Sequence, residues 1–325
     1  MNTLANHGYI PRNGIASFEQ ITLALMEAFN LELIFGANMA ANNMLTRGNP
    51  FIDKLSIGGV SPLVPPLPGN IDGPVTGGIA KHGRFEGDAS LTRADAFIGD
   101  NRNFQDILYD LDLLQLGKFG DNGPDGDNTV FNVPTLVGMK KQNIMMDQAA
   151  NPKFEFAARR MNAAYGEAAF ILKFVLSFRM SAKIDHHIFI SVFANGTAKQ
   201  ATLPIVGSFF RNQTFPPNWF RAAQPVTGAI NGATVNQILA EIPTPPGRND
   251  DHGVYVADPA PPPPFNSSFG CFAYYDQSAN TAGVLANTTG IFKQNVELLT
   301  DIQFQLAAAN AGCNQKILPF GPAGV

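Results

Sequence analysis

The chain has 325 residues, of which 45% are hydrophobic and 15% charged. That length and apolar content suffice for one large packed domain, and a formal charge of −4 offers no broad basic surface to nucleic acid. No apolar run reaches the roughly 18 residues that a membrane span requires; the best stretch, from Ala168 to Phe178, is broken by Lys173.

In chain order, the spacing of Phe18, Ile21, Leu25, Phe29 and Leu33 predicts a helix over 17–35, with Ser17 and Gln20 as its capping box. Residues 61–80 hold too much Pro and Gly for a regular element and read as a long loop. A helix over 104–116 follows, capped by Asn103, with Ile107, Leu108, Leu111 and Leu114 facing inward. The cluster GDNGPDGDN at 120–128 has the look of a calcium loop. Gly123 and Asn132 stand where ligands are needed, however, so a solvated turn is the better reading. The longest helix is expected over 153–175, a short one over 235–242, and a last amphipathic one over 290–311, stopped by Gly312. Strand-type alternation is scarce. The fold reads as one mainly α domain, 1–325, with long Pro/Gly-rich connections.

Three stretches carry candidate chemistry. Arg160 and Glu167 stand seven residues apart, close to two turns, so both leave one helix face about 10 Å apart along the axis. Ala163 and Ala164 form a small floor between them. A cation and a carboxylate there suit an acid–base pair beside a cavity, although a solvent-facing charge pair fits the same spacing. In residues 82–97, Glu86, Asp88 and Ser90 gather hard oxygen atoms, and Gly87 lets its carbonyl approach a small cation; acids at a helix start would look similar. His7, ahead of Pro11, reads as a hydrogen-bonded structural histidine, while the adjacent His186 and His187 diverge too much to chelate one ion simply. Cys271 and Cys313 cannot build a zinc site by themselves; a bond between them would contribute about 4 kcal/mol by the chain-entropy argument. No nucleophile elbow, phosphate-binding loop or dinucleotide fingerprint is present.

Taken in this order, NTLANHGYIPRNG (2–14), FEGDASLTRADAF (85–97) and Arg160 with AAYGEAAF (163–170) resemble the haem-thiolate chloroperoxidase and unspecific peroxygenase family. SFFRNQTFPPNWFRA (208–222) and GCNQKILPFG (312–321) extend the likeness to its longer members. The resemblance implies a chloroperoxidase-like helical fold, haem b, Mg2+, hydrogen peroxide and a small organic substrate. It implies Glu167 and Arg160 as the distal acid–base pair, and Glu86, Gly87 (through its carbonyl) and Ser90 as the Mg2+ ligands. Cys271 and Cys313 match the family's disulfide. Phe85 and Phe170 match its substrate-channel aromatics, with Leu31 and Asn162 standing where long peroxygenases carry Phe, which predicts a wider or more polar channel.

Two departures follow from the same comparison. The family holds its iron through a cysteine in a Pro-Cys-Pro motif just before the NTL-type stretch. Met1 stands there, so the axial cysteine is absent and is expected upstream; as written, the chain would lack peroxygenase competence. Residues 176–193 match nothing in the pattern and read as an insertion, which together with the missing start fits a lost first exon and a retained intron. Sequons at Asn195, Asn212, Asn266 and Asn287 and the expected disulfide point to secretion, although no signal peptide is visible. The reading is a secreted haem-thiolate peroxidase or peroxygenase without membrane or nucleic-acid partners. The alternative is a non-catalytic relative that binds a small apolar ligand in the vacant cavity.

Overall fold

The computed structural model describes residues 1–68, 77–83, 87–172 and 200–317, together with the backbone of 174–176 and 188–190. Among these, ten α-helices follow in order: α1 (Asn2–Asn6), α2 (Phe18–Phe29), α3 (Leu33–Thr46), α4 (Asp106–Phe119), α5 (Val133–Ala150), α6 (Ala158–Ile171), α7 (Leu203–Gly207), α8 (Gly228–Glu241), α9 (Phe269–Ala279) and α10 (Gly290–Ala311). The strands are short. Antiparallel pairs form between 15–16 and 55–56, 121–123 and 126–130, and 174–176 and 188–190, and a three-stranded sheet joins 155–156, 247–249 and 255–257. The fold is mainly α, as expected.

The expected first helix is two helices. Ser17 and Gln20 do make the reciprocal capping box, with Gln20 N–H to Ser17 Oγ at 3.1 Å and Ser17 N–H to Gln20 Oε1 at 3.0 Å. Asn30 then turns left-handed (φ 54°), a conformation its short polar side chain tolerates, and its Nδ2 donates to the Ala222 carbonyl at 2.8 Å. Leu31 leaves the helix to bridge Val226, and α3 begins afresh two residues later. Leu33 kept the apolar spacing across the break, yet it is exposed.

The second expectation also needs correction. Asn103 does not cap α4: its side chain donates to the Asp100 carboxylate, and Gln105 holds the cap position. Ile107 and Leu114 are exposed, while Tyr109, Asp112 and Leu116 form the buried stripe. The inward face is therefore rotated from the most apolar one, because it carries a buried carboxylate toward α5. The 120–128 cluster closes a hairpin rather than a plain turn. Helix α6 starts later and ends earlier than 153–175, since residues 155–156 join the small sheet. The short helix near 235 begins at Gly228, capped by the Thr227 side chain. Helix α10 matches its expected span, and Gly312 (φ 69°) ends it as a left-handed cap. Of the 176–193 segment, only the backbone of 176 and 188–190 falls among the described residues.

Two apolar cores result. One packs α2 and α3 against α10 and the rings of Phe29, Phe209, Phe215 and Trp219; the other packs α4, α5, α6 and α8 around Phe154, Phe156 and Tyr165. Phe210 touches both. A small third cluster, Phe265, Tyr274 and the Cys271–Cys313 disulfide, ties α9 to the end of α10 across a Cα–Cα distance of 5.5 Å.

That cross-link closes a loop of 42 residues, so reduction, or the C271S/C313S double substitution, is expected to lower the unfolding free energy by about 4 kcal/mol. Denaturant titration with and without reductant checks this; an unchanged midpoint would contradict it.

Candidate functional site

The site is built where the loop ahead of α4 meets α5 and α6. Helix α6 is fixed first. Its second residue, Arg159, gives its backbone N–H to Asp276 Oδ2 on α9 at 2.8 Å, and its guanidinium holds Asp276 Oδ1 at 2.8 Å, the Gly83 carbonyl at 2.8 Å and the Glu155 carboxylate. A carboxylate from another helix thus satisfies an amide that the Ala157 cap position cannot. The small residues Ala158, Ala164, Ala168 and Ala169 let this helix sit deep in its core.

Arg160 follows, with 3% of its side chain exposed, and its Nε donates to the Asp88 carbonyl at 2.9 Å. From α5, Lys140 Nζ donates to the next carbonyl, Ala89, at 3.0 Å, and Asn143 Nδ2 to the one after, Ser90, at 3.0 Å. Three consecutive carbonyls are therefore held by three side chains from two helices. Ala89 itself is fully buried and left-handed (φ 57°), a conformation unfavourable for a residue with a Cβ, and its N–H is held by Asp95 Oδ1 at 3.1 Å. Gly87 presses against Arg160, so that a Cβ there would stand 2.5 Å from Arg160 Cδ.

Beneath the loop lie buried acids. Asp88 Oδ2 accepts from Glu155 N–H at 2.7 Å and Asn151 Nδ2 at 3.2 Å, while Oδ1 lies 3.5 Å from His82 Nε2. Asp88 therefore braces the loop from below, its carboxylate turned to Glu155, Asn151 and His82. Burial, with the neighbouring Asp95 charge, pushes the Asp88 carboxyl up to about 7. Burial also raises Asp95, and burial with Asp95 beside it takes Asp147 to about 8. Asp112 rises to about 8, again by burial, against the attraction of Lys140. Lys140 is brought down to about 8, chiefly by burial and then by the Arg160 charge.

Arg160 Nη1 lies 3.5 Å from Glu167 Oε2. The two side chains lean toward each other and close most of their axial separation. The Glu167 side chain is 48% exposed, yet burial raises its carboxyl against the pull of Arg160, Lys140 and Arg93. Both hold if the carboxylate opens into a concavity, reachable by water but walled by protein. Arg160 supplies a fixed donor and Glu167 a proton-accepting oxygen, the elements of acid–base work.

The remaining sequence candidates are spread more widely. Phe85 and Glu86 lie outside the described residues. Gly87 and Ser90 share the braced loop; Ser90 gives its carbonyl to Asn143, with its Oγ 3.5 Å from Thr92 N. Among the described residues, no group of three His, Cys, Asp or Glu side chains is placed to hold a metal ion. Phe170 meets Phe35 at 5.9 Å between ring centres. Asn162 is exposed, about 200° around α6 from Arg160, so it does not share that face. Leu31 is buried and borders a surface pocket of about 500 Å³ with Tyr9, Leu23, Met26, Glu27 and Arg221, whose lining includes neither Arg160 nor Glu167. His7 is structural: its Nε2 accepts from Phe215 N–H at 3.2 Å. Lys140, Asn143, Asp95 and Asn151 escaped the sequence reading. For Lys140, Asn143 and Asn151 the signal was the polar series at 140, 143, 147 and 151 behind the Asn132-Val-Pro helix start, which resembles a solvated face.

A family model described as "Peroxidase, family 2" matches residues 1–224. The chain is 31% identical to an aromatic peroxygenase of Cyclocybe aegerita over 331 residues, covering 99% of this chain and 78% of that protein. It is 31% identical to an aromatic peroxygenase of Coprinellus radians over 68% of this chain and 76% of the relative. A dothistromin biosynthesis peroxidase of Dothistroma septosporum is 35% identical over 35% of this chain and 30% of its own length.

The buried carboxyls titrate higher in the folded than in the unfolded chain, so protonation favours the fold and stability falls as pH rises from about 4 toward 8. Lys140, with its lowered value, works oppositely and costs stability as pH falls from 10.5 toward 8. Thermal melts are expected to show a higher midpoint at pH 5 than at pH 8. D147N, which mimics the protonated acid, should flatten that slope; an equally steep slope in D147N would show that Asp147 does not carry the proton.

Proposed function

The chain belongs to peroxidase family 2 and is an enzyme of the peroxidase/peroxygenase type, and from that premise we propose that it uses hydrogen peroxide to oxidise or oxygenate small aromatic molecules, with Glu167 and Arg160 as its distal pair. The observation that carries this reading is the 3.5 Å approach of a buried guanidinium to a carboxylate that remains open to water.

A thiolate-ligated haem b would supply the redox chemistry when bound. The Arg160–Glu167 pair suits such a group: Glu167 is a half-exposed carboxylate, and the buried Arg160 is held beside it by the Asp88 carbonyl. Among the described residues, no cysteine thiol is present to hold the haem iron. Cys271 and Cys313 are joined to each other, and His7 Nε2 is engaged by Phe215. For Mg2+, the Gly87 carbonyl and Ser90 Oγ are hard donors on one braced loop, with Glu86 as the expected third. The tight contact with Arg160 favours a glycine at 87, so ligation by a carbonyl and the seat of the guanidinium suit each other.

In this reading a Glu167 carboxylate oxygen takes a proton from one oxygen of hydrogen peroxide and returns it to the other, which would leave as water when bound haem accepts the first oxygen. Arg160 holds the carboxylate in place and offsets negative charge while the proton is in transit. The raised carboxyl suits both halves of that task, since a base that holds its proton too weakly cannot return it. Phe170 is proposed to line the approach with Phe85; Asn162 lies on another face of α6, and Leu31 borders a pocket whose lining does not include Arg160 or Glu167. The disulfide and the exposed sequon residues Asn212, Asn266 and Asn287 support an extracellular destination.

With haem and the thiolate ligand that the family resemblance implies both supplied, the protein is expected to oxidise an aromatic donor at the expense of hydrogen peroxide, and E167Q should lower kcat/KM for peroxide by about 10²- to 10⁴-fold. Peroxide turnover at the unsubstituted rate in E167Q would overturn the assignment of the base.

A further inference from the structure

We propose that Lys140 is a positioning residue of the distal site, which holds the Gly87–Ser90 loop through the Ala89 carbonyl and sets the electrostatic field on Glu167. The inference rests on the distal-pair reading above and adds a residue to it.

Geometry carries the case. A lysine is rarely fully buried, yet Lys140 is 2% exposed, and its ammonium donates to a backbone carbonyl with no carboxylate within ion-pair distance among the described residues. That carbonyl belongs to the left-handed residue of the loop, flanked by the carbonyls that Arg160 and Asn143 hold. A neutral donor does for Ser90 what a charged one does for Ala89, so loop closure alone does not require an ammonium. The groups in electrostatic reach of Lys140 are Arg160 and Glu167 on α6, Asp112 on α4 and Asp147 on its own helix. Those acting on Glu167 are Arg160, Lys140 and Arg93. Asp112 and Asp147 are acids that burial keeps largely protonated near neutral pH. Among the described residues, the carboxylate that acts most strongly on the lysine charge is Glu167, with Asp112 and Asp147 weaker.

Two substitutions separate the roles. K140Q keeps a donor for Ala89 and loses the charge; K140R keeps the charge. In haem-loaded protein, K140Q is expected to move the acidic limb of the kcat/KM profile for peroxide up by about one pH unit, a tenfold loss below that limb. K140R should leave the limb where it is. The Glu167 carboxyl, followed by isotope-edited infrared titration in the same proteins, should shift in parallel. N143A, which frees the Ser90 carbonyl without changing charge, should lower the rate and leave the limb in place. A limb and an infrared titration that are unmoved in K140Q, or moved equally in N143A, would overturn the proposal. The infrared shift is independent of turnover, so it can stand even where E167Q shows that Glu167 is not the base.

Discussion

Three adjacent backbone carbonyls, at Asp88, Ala89 and Ser90, are each taken by a side chain buried for that purpose, and most of the candidate site follows from this capture. A loop so deep cannot hydrate its own polar groups, and a buried carbonyl left without a donor costs about 1–3 kcal/mol. Arg160, Lys140 and Asn143 remove that cost, and each is thereby fixed in place. Arg160 gains more than a partner, because holding Asp88 leaves its Nη1 pointed at Glu167. The pair is thus positioned by a loop to which neither residue belongs. The left-handed Ala89 is held in an unfavourable conformation by bonds on both its N–H and its carbonyl.

The same burial explains the unusual charge balance. Two arginines and a lysine lie inside this part of the fold, while Asp88, Asp95, Asp112 and Asp147 are pushed toward their neutral forms. Burial disfavours every charge, but the guanidinium resists deprotonation, so the acids give way first. Arg159 is compensated directly by Asp276 and Glu155, which anchors the start of α6 to α9 and the small sheet. Arg160 takes the Asp88 carbonyl and approaches Glu167. Neighbouring arginines on one helix therefore divide into one that holds the scaffold and one that faces the site.

Much of this was legible in the sequence, and what was not has physical causes. Helical spacing gave α10 and its glycine stop, and Ser17 with Gln20 gave the start of α2. Periodicity did not reveal the break at Asn30, because Leu33 continued the pattern on the far side of a left-handed turn. The α4 stripe was misread for the opposite reason: a buried Asp112 looks polar and an exposed Leu114 looks like core. The Arg160–Glu167 pair was visible as a seven-residue spacing, but its partners were not. Lys140 and Asn143 are polar residues on a helix with little apolar periodicity, and only the third dimension sets them under a loop fifty residues earlier. Cys271 and Cys313 were joined as the family resemblance implied.

The chain belongs to peroxidase family 2, and the braced loop is what seats Arg160 beside Glu167. Amide hydrogen exchange across residues 87–95, in the protein and in N143A, tests this most directly. Slow exchange through the loop, accelerated severalfold in N143A there but not along α10, is the predicted result. An unchanged rate across 87–95 in N143A would show that the captured carbonyls do not hold the loop.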